Sequence, residues 1–228
     1  MGRVWVTVTL LFIVLLVFSM PAAATPVGGL SYNIARDYFT FSVSGGVSFG
    51  QRDVHLDDND DVQDELNSSR FIAKIDIAPV KYVDFYMITG AADLQLDDGD
   101  FKGFLSPMLG AGLRPNLFPL VWESNLFVSA DLQYLTYNTA DGDTSAKLQE
   151  FQAGIIVSYV LRGLAPYGGL KYDEAYVQFE GNENDMSGDI DFAVFVGCDY
   201  FVTPNVFFNV DLNIFSETRI YAGVGYKY

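Results

Sequence analysis

The last ten residues, Arg219-Ile220-Tyr221-Ala222-Gly223-Val224-Gly225-Tyr226-Lys227-Tyr228, decide the fold. Ile220, Ala222, Val224, Tyr226 and Tyr228 recur at a period of two, and Arg219, Tyr221, Gly223, Gly225 and Lys227 fill the alternate positions. That period belongs to a β-strand, whose successive side chains point to opposite faces. One face is apolar and ends in aromatics; the other is small, polar or cationic. Most of the chain upstream repeats the pattern, and no helical segment is left to cover so much apolar face. A closed sheet with lipid outside and polar groups inside resolves the problem. The expected fold class is all-β: a transmembrane antiparallel up-and-down β-barrel of about ten strands, with eight as the alternative count.

Working upstream, the alternation is clearest from Phe39 to Phe49, where Phe39, Phe41, Val43, Val47 and Phe49 oppose Thr40, Ser42, Ser44 and Ser48. Phe71, Ala73, Ile75 and Ile77 oppose Arg70, Lys74 and Asp76 in the second strand. The third, about Val83 to Gln95, alternates poorly, and its faces are not assigned. In the fourth, Pro107 predicts a bulge near the strand's start, because proline cannot donate to a ladder. Trp122 to Tyr137, Phe151 to Tyr159, Ala165 to Phe179, Ile190 to Tyr200 and Val206 to Ile214 supply the remainder before the last strand.

The connections sort into two kinds. Those after strands two, four, six and eight are short and carry Pro or Gly. Those after one, three, five and seven carry acidic tracts: Asp57 to Glu65, Asp97 to Asp100, Asp141 to Asp143, and Glu180 to Asp189. Short turns on the periplasmic side and longer loops outside are what such barrels show, which places both chain ends in the periplasm.

Residues 1–24 read as a secretory signal peptide: Arg3 is the basic lead, Val4 to Phe18 is apolar, and Pro21-Ala22-Ala23-Ala24 ends in a small-residue cleavage site. Residues 25–37 form a periplasmic lead-in, and 38–228 form the barrel. The expected location is the bacterial outer membrane after export and cleavage. The net charge of −16 would repel phosphates, so nucleic acid is excluded as a partner. Cys198 is the only cysteine, which rules out an internal disulfide and a cysteine-cluster metal site. It is read as a small apolar residue facing lipid.

The candidate lumen charges are Arg70, Lys74, Asp76, Arg114, Asp131, Glu150, Lys171, Asp199, Asp211 and Lys227, with Glu123, Asp191 and Arg219 on the same faces. A barrel of eight strands has room for its own side chains or one small ligand, and about ten adds little. Opposite charges there should pair, since an unpaired buried charge is costly. The favoured expectation is a network that fills the lumen, and the alternative is a charged pore lining. Asp57, Asn59 and Asp61 space oxygen ligands like a calcium loop, but Val62 stands where that loop needs Gly and Ser68 where it needs Glu. A tight metal site is therefore not expected there. Loose divalent binding that bridges lipopolysaccharide phosphates is. His55, the only histidine, lies in the first acidic tract with no nucleophile fixed beside it by spacing, so it is read as a solvated loop residue. Tyr159, Tyr172, Tyr200, Tyr226 and Tyr228 read as anchors at the membrane interfaces.

Gly110-Ala111-Gly112-Leu113-Arg114, Pro166-Tyr167-Gly168-Gly169-Leu170-Lys171-Tyr172 and the closing Tyr226-Lys227-Tyr228 resemble segments of the small outer-membrane proteins grouped as the outer membrane protein beta-barrel domain, of opacity-type and porin-like kinds. The resemblance covers most of the chain after residue 24 as pattern, through short motifs. The closing segment is similar to the signal read by the outer-membrane assembly machinery, which commonly ends in Phe where this chain has Tyr228. The resemblance thus implies outer-membrane lipid, lipopolysaccharide and that machinery as partners. The function expected is a structural or surface-interaction role through acidic extracellular loops, with a narrow porin-like channel for small solutes or ions as the alternative. No cofactor is expected, and the chain is read as no enzyme.

Overall fold

The computed structural model describes residues 40–56, 59–80, 82–96, 101–119, 125–180, 186–187, 191–215 and 217–228. The strands are β1 (Thr40–Leu56), β2 (Asn59–Val80), β3 (Val83–Leu96), β4 (Lys102–Pro119), β5 (Leu126–Asp141), β6 (Thr144–Tyr159), β7 (Leu164–Phe179), β8 (Met186–Ser187), β9 (Asp191–Phe201), β10 (Val206–Phe215) and β11 (Glu217–Lys227). Each pairs antiparallel with its neighbours, and β11 closes the sheet on β1 from Ser42↔Lys227 to Arg52↔Glu217. β7 pairs directly with β9, so the closed ring holds ten strands, β8 standing outside it. This is the expected up-and-down barrel, the architecture of an outer-membrane β-barrel.

A strand needs about 9–11 residues to cross a bilayer. β9, β10 and β11 have 11, 10 and 11, whereas β1 has 17, β2 has 22 and β5, β6 and β7 have 16 each. The seven strands β1 to β7 therefore run on past the tops of the last three. There β8 takes over, pairing with β7 through Tyr176↔Ser187 and with β1 through His55↔Ser187. A second closed ring of eight strands, β1 to β8, stands on the first. The membrane barrel has the ten strands expected, not the alternative eight.

The side chains change with the ring. In the ten-stranded part, Val43, Phe71, Ile75, Phe85, Met87, Leu132, Ile155, Val196, Phe208 and Val224 are exposed on the outside, while Ser42, Lys74, Asp76, Arg114 and Asp211 are buried inside. In the eight-stranded head, the inward positions hold Val54, Leu66, Leu94, Leu96, Leu135, Leu148 and Val177, all buried in one apolar cluster with Phe101 and Met108. The outward positions there carry exposed Asp53, Gln95, Asn138, Lys147 and Gln178. The same parity thus runs polar-in within the membrane and apolar-in above it. Water is the solvent of the head and lipid that of the ring, so each segment turns its unlike face inward.

Two expectations are corrected and a third is met. The acidic tract from Asp57 to Glu65 is not a free loop: β2 begins at Asn59, and the β1–β2 ladder reaches His55↔Gln63. The tract after β7 contains β8. The bulge expected near the start of β4 is present immediately before Pro107, where Ala92↔Ser106 shifts to Leu94↔Gly103. That bulge switches the inward parity of β4 from Phe101 and Gly103 to Met108 and Arg114. β3, whose faces the sequence leaves unassigned, alternates along its length with Asp84, Tyr86, Ile88, Ala92, Leu94 and Leu96 inward. At the turn end of the barrel, Gly163 adopts φ of 74° and Tyr82 φ of 73°, the left-handed conformations of tight reversals.

Candidate functional site

The lumen of the ten-stranded ring is where the barrel gathers its chemistry. Just below the apolar head, Glu150 of β6 accepts from Arg70 of β2 at 2.8 Å and from Arg219 of β11 at 3.3 Å. Asp173 of β7 takes Arg52 of β1 at 2.8 Å and Lys171 at 2.6 Å. The Gln152 amide donates to both carboxylates, Glu150 and Asp173. The guanidinium of Arg70 also lies 5.8 Å from the Tyr137 ring centroid. This layer spans the lumen, since its members come from β1, β2, β6, β7 and β11.

A second layer sits nearer the turn end. Lys74 pairs with Asp76 at 2.9 Å, and the Ser42 hydroxyl donates to the same carboxylate at 3.2 Å. Arg114 pairs with Asp131 at 3.0 Å. Between the two pairs lies the Tyr86 ring, with the Lys74 ammonium 4.2 Å and the Arg114 guanidinium 5.3 Å from its centroid. Its hydroxyl donates to Asp131 at 3.0 Å. A desolvated cation over an aromatic face is attracted to the ring's negative quadrupole, so Tyr86 serves two cations at once.

A third group lines the β7–β9–β10 wall. Tyr167 donates to Asp211 at 2.7 Å and accepts from the Asn209 amide at 2.9 Å, and Asn209 also donates to Asp199. Room for these rings comes from glycines on the neighbouring strand. Gly112 is the register partner of Tyr86, and Gly197 that of Tyr167. A Cβ on Gly112 would lie 2.1 Å from Tyr86 Cζ, and one on Gly197 2.3 Å from Tyr167 Cζ. Each ring lies flat where the opposite strand has no side chain.

Burial separates a packed lumen from a pore. Lys74, Asp76, Asp199 and Asn213 are 0% exposed, and Glu150 and Asp211 1%. Charges lining an open water path would be wet. Here they are dry, and a cluster of buried apolar side chains lies above them. Removing one partner of such a pair costs about 3–5 kcal/mol, because the other is left charged and dry.

Of the charges read from the sequence, Arg70, Lys74, Asp76, Arg114, Asp131, Glu150, Lys171, Asp199, Asp211 and Arg219 lie in the lumen, and Lys227 is half-buried at its turn-end rim. Glu123 and the side chain of Asp191 fall outside the described residues. So do Asp57 and the side chains of Asn59, Asp61 and His55, although the backbone of His55 sits on the β1–β2 and β1–β8 ladders rather than in a loop. Arg52, Asp84 and Asp173 complete the lumen set and were not read from the sequence. Asp173 stands two residues beyond Lys171 on the same face, and that spacing was the available signal. Cys198 is half-buried on the outward face of β9. Tyr159, Tyr200, Tyr226 and Tyr228 are exposed around the turn end. Tyr172, whose hydroxyl donates to Glu174 at 3.1 Å, marks the border with the head.

No family model matches the chain, and no characterised sequence matches it. Solved structures with a similar fold include the translocator domain of the autotransporter NalP from Neisseria meningitidis, at 13% identity and a TM-score of 0.47 over 85% of this chain and 89% of that one. An outer membrane channel from Pseudomonas putida F1 aligns at 12% identity and a TM-score of 0.48, over 89% and 100%. The outer membrane protease OmpT from Escherichia coli aligns at 12% identity and a TM-score of 0.44, over 87% and 99%. A translocator, a channel and a protease share this likeness, which extends to the barrel and not to any one of those activities.

Proposed function

We propose that this chain is a non-conducting barrel of the bacterial outer membrane, reached by export, that holds a rigid β-structured head above the lipid and acts through the acidic surface of that head. The observation that supports the reading is the packed lumen. Ion pairs and hydrogen bonds fill the membrane-spanning ring, and an apolar core fills the ring above it. A body so filled offers solutes no path, but makes a stiff support for whatever its outer end meets. The acidic stretches around 57–65 and 180–189 follow β1 and β7, the two strands with which β8 pairs. Their partners, on this reading, are envelope components such as lipopolysaccharide, whose phosphates divalent cations would bridge to the carboxylates. Insertion would run through the outer-membrane assembly machinery, which would read the closing β11 strand with its exposed Tyr226 and Tyr228. Nucleic acid is not a partner and catalysis is not the role. His55→Ala would accordingly leave the chain's envelope phenotype unchanged.

Planar-bilayer recording of the purified, folded protein tests the proposal. The expected trace is flat at any applied voltage that the bilayer tolerates. Discrete conductance steps that change size in Lys74→Ala or Glu150→Ala would overturn it and make the chain a channel.

A further inference from the structure

The apolar exterior of the ring ends at different points on different strands, and on β4 it ends late. On β5 the outward face turns polar after Tyr134, with Thr136 and then Asn138; on β3 it does so at Thr89 and Asp93, with Ala91 between. On β4 it continues through exposed Leu109, Pro107, Leu105 and Phe104. Leu109 stands opposite Thr89 on one side and Thr136 on the other. Beyond it, the bulge before Pro107 turns two consecutive side chains outward, and Phe104 and Leu105 are 70% and 52% exposed. Phe104 lies beside Asn138, because its carbonyl accepts from the Thr139 hydroxyl at 2.6 Å. Strand tilt does not produce this arrangement, since polar residues flank it on both sides. An apolar finger reaches from the membrane belt into the polar wall of the head.

The exposed cations of the head stand around this finger. Among the described residues, Lys102 and Lys147 are the only exposed Lys or Arg side chains there, in a chain of net charge −16. Lys102 begins β4, two residues before Phe104 and opposite Gln95. Lys147 faces Asn138 across the β5–β6 ladder, which puts it two strands from Phe104, about 10 Å away. Its ladder neighbours, Asn138 and Gln178, are neutral. Two carboxylates close by are engaged by the backbone: Asp93 accepts from the Ser69 amide and Asp141 from the Lys102 amide. Exposed apolar surface continuous with the belt calls for an apolar cover, and the flanking lysines call for an anion. We propose that this face of β4 to β6 binds an anionic, acylated lipid of the outer leaflet, with an acyl chain along Leu109, Leu105 and Phe104 and a phosphate between Lys102 and Lys147. The site rests on the reading of lipopolysaccharide as a partner and narrows it to one place on the wall, independent of divalent cations. A second copy of the chain suits the face less well, because a two-fold contact would bring the same lysines together.

The test is lipid retention by the folded protein in detergent, measured by native mass spectrometry. The probe is bis-phosphorylated lipid A, offered once in EDTA and once in calcium. One lipid per chain should stay bound in EDTA, where bridging to carboxylates is removed. Lys102→Gln with Lys147→Gln should weaken that binding about thirtyfold, the worth of two cations beside an anionic headgroup. Phe104→Ser with Leu105→Ser should weaken it about tenfold or more, through lost apolar contact. Lipid A stripped of its phosphates should bind the wild type and the lysine variant alike. All four side chains are exposed, so the variants should keep the mobility shift of a folded barrel. If the apolar double variant does not, Phe104→Ser alone takes its place, with a smaller loss expected. Binding in calcium alone would overturn the site and leave divalent bridging standing; no binding in either medium would remove lipopolysaccharide as a partner altogether. Equal retention by the wild type and the lysine variant in EDTA would overturn the site too, as would a dimer in detergent that Phe104→Ser breaks apart.

Discussion

Seven strands run through both halves of this barrel, and their inward faces change character on the way. Below the level of Glu150 they enclose charges interleaved with buried apolar side chains such as Ile72, Ile88 and Ile156; above it they enclose leucines. On β6 the change takes one step, from Glu150 inward in the membrane ring to Leu148 inward in the head, both about 1% exposed. Backbone geometry does not distinguish the two levels, since the same ladder with the same alternation continues through both. What differs is the medium outside. Lipid around the ring needs an apolar exterior, which leaves polar side chains to fill the interior. Water around the head permits an ordinary apolar core. The head resembles a small soluble barrel fused strand for strand to a membrane one.

The largest effect should come from breaking the polar interior. Glu150→Ala leaves Arg70 and Arg219 dry without their carboxylate, at a cost of about 3–5 kcal/mol. Leu148→Met, two residues along the same face, keeps volume and polarity and should cost under about 1.5 kcal/mol. Urea titration in lipid vesicles, read by gel mobility, measures both. A loss below about 0.5 kcal/mol for Glu150→Ala, the size seen for exposed pairs, would mean that water reaches this layer and that the two interiors do not differ as described.

The outside can be tested in the same way. Ile75 is exposed on β2 within the apolar belt, and Gln95 is exposed on β3 in the head. Arginine at a lipid-facing site near the midplane costs about 2–4 kcal/mol, whereas an exposed substitution facing water stays within about 0.5 kcal/mol. Ile75→Arg should therefore destabilise strongly and Gln95→Arg hardly at all. Equal costs would misplace the border between ring and head.

This border also governs what was legible in the sequence. A period of two identifies β9, β10 and β11 by their apolar outward positions, and β10 also by its polar inward run Asn209, Asp211 and Asn213. It fails on β3, where Asp84 and Tyr86 share a face with Ile88, Ala92, Leu94 and Leu96. Averaged over the strand, the two halves cancel, although the alternation is unbroken. Proline does mark the irregularity of β4, since the bulge lies just before Pro107, but not that it reverses the face. The acidic tract after His55 reads as a loop because carboxylates disfavour strands, yet it continues β2 where the outward face meets water. A two-residue strand such as β8 has no period to read. The lumen charges were legible from parity alone; their partners were not, since Arg52 meets Asp173 across more than a hundred residues of chain and a closure that only the register defines.

The smallest of these effects asks whether the ring's interior is as closely fitted as a core. Gly197 faces Tyr167 across the β7–β9 ladder, and a methyl there would stand 2.3 Å from the ring. The ring is not free to swing away, because its hydroxyl is bonded to both Asp211 and Asn209. Overpacking a fitted interior costs about 1–3 kcal/mol, so Gly197→Ala should lower the unfolding free energy from urea titration by that amount. The comparison site is Gly154 on β6, also inward, where a Cβ would lie 3.1 Å from the Leu170 carbonyl and touch no ring. There the neighbour need give only a few tenths of an ångström, and Gly154→Ala should cost less than half as much. Should Gly197→Ala instead prove neutral, Tyr167 must have space to move, and a lumen with such slack would admit the water that its buried charges are arranged to exclude.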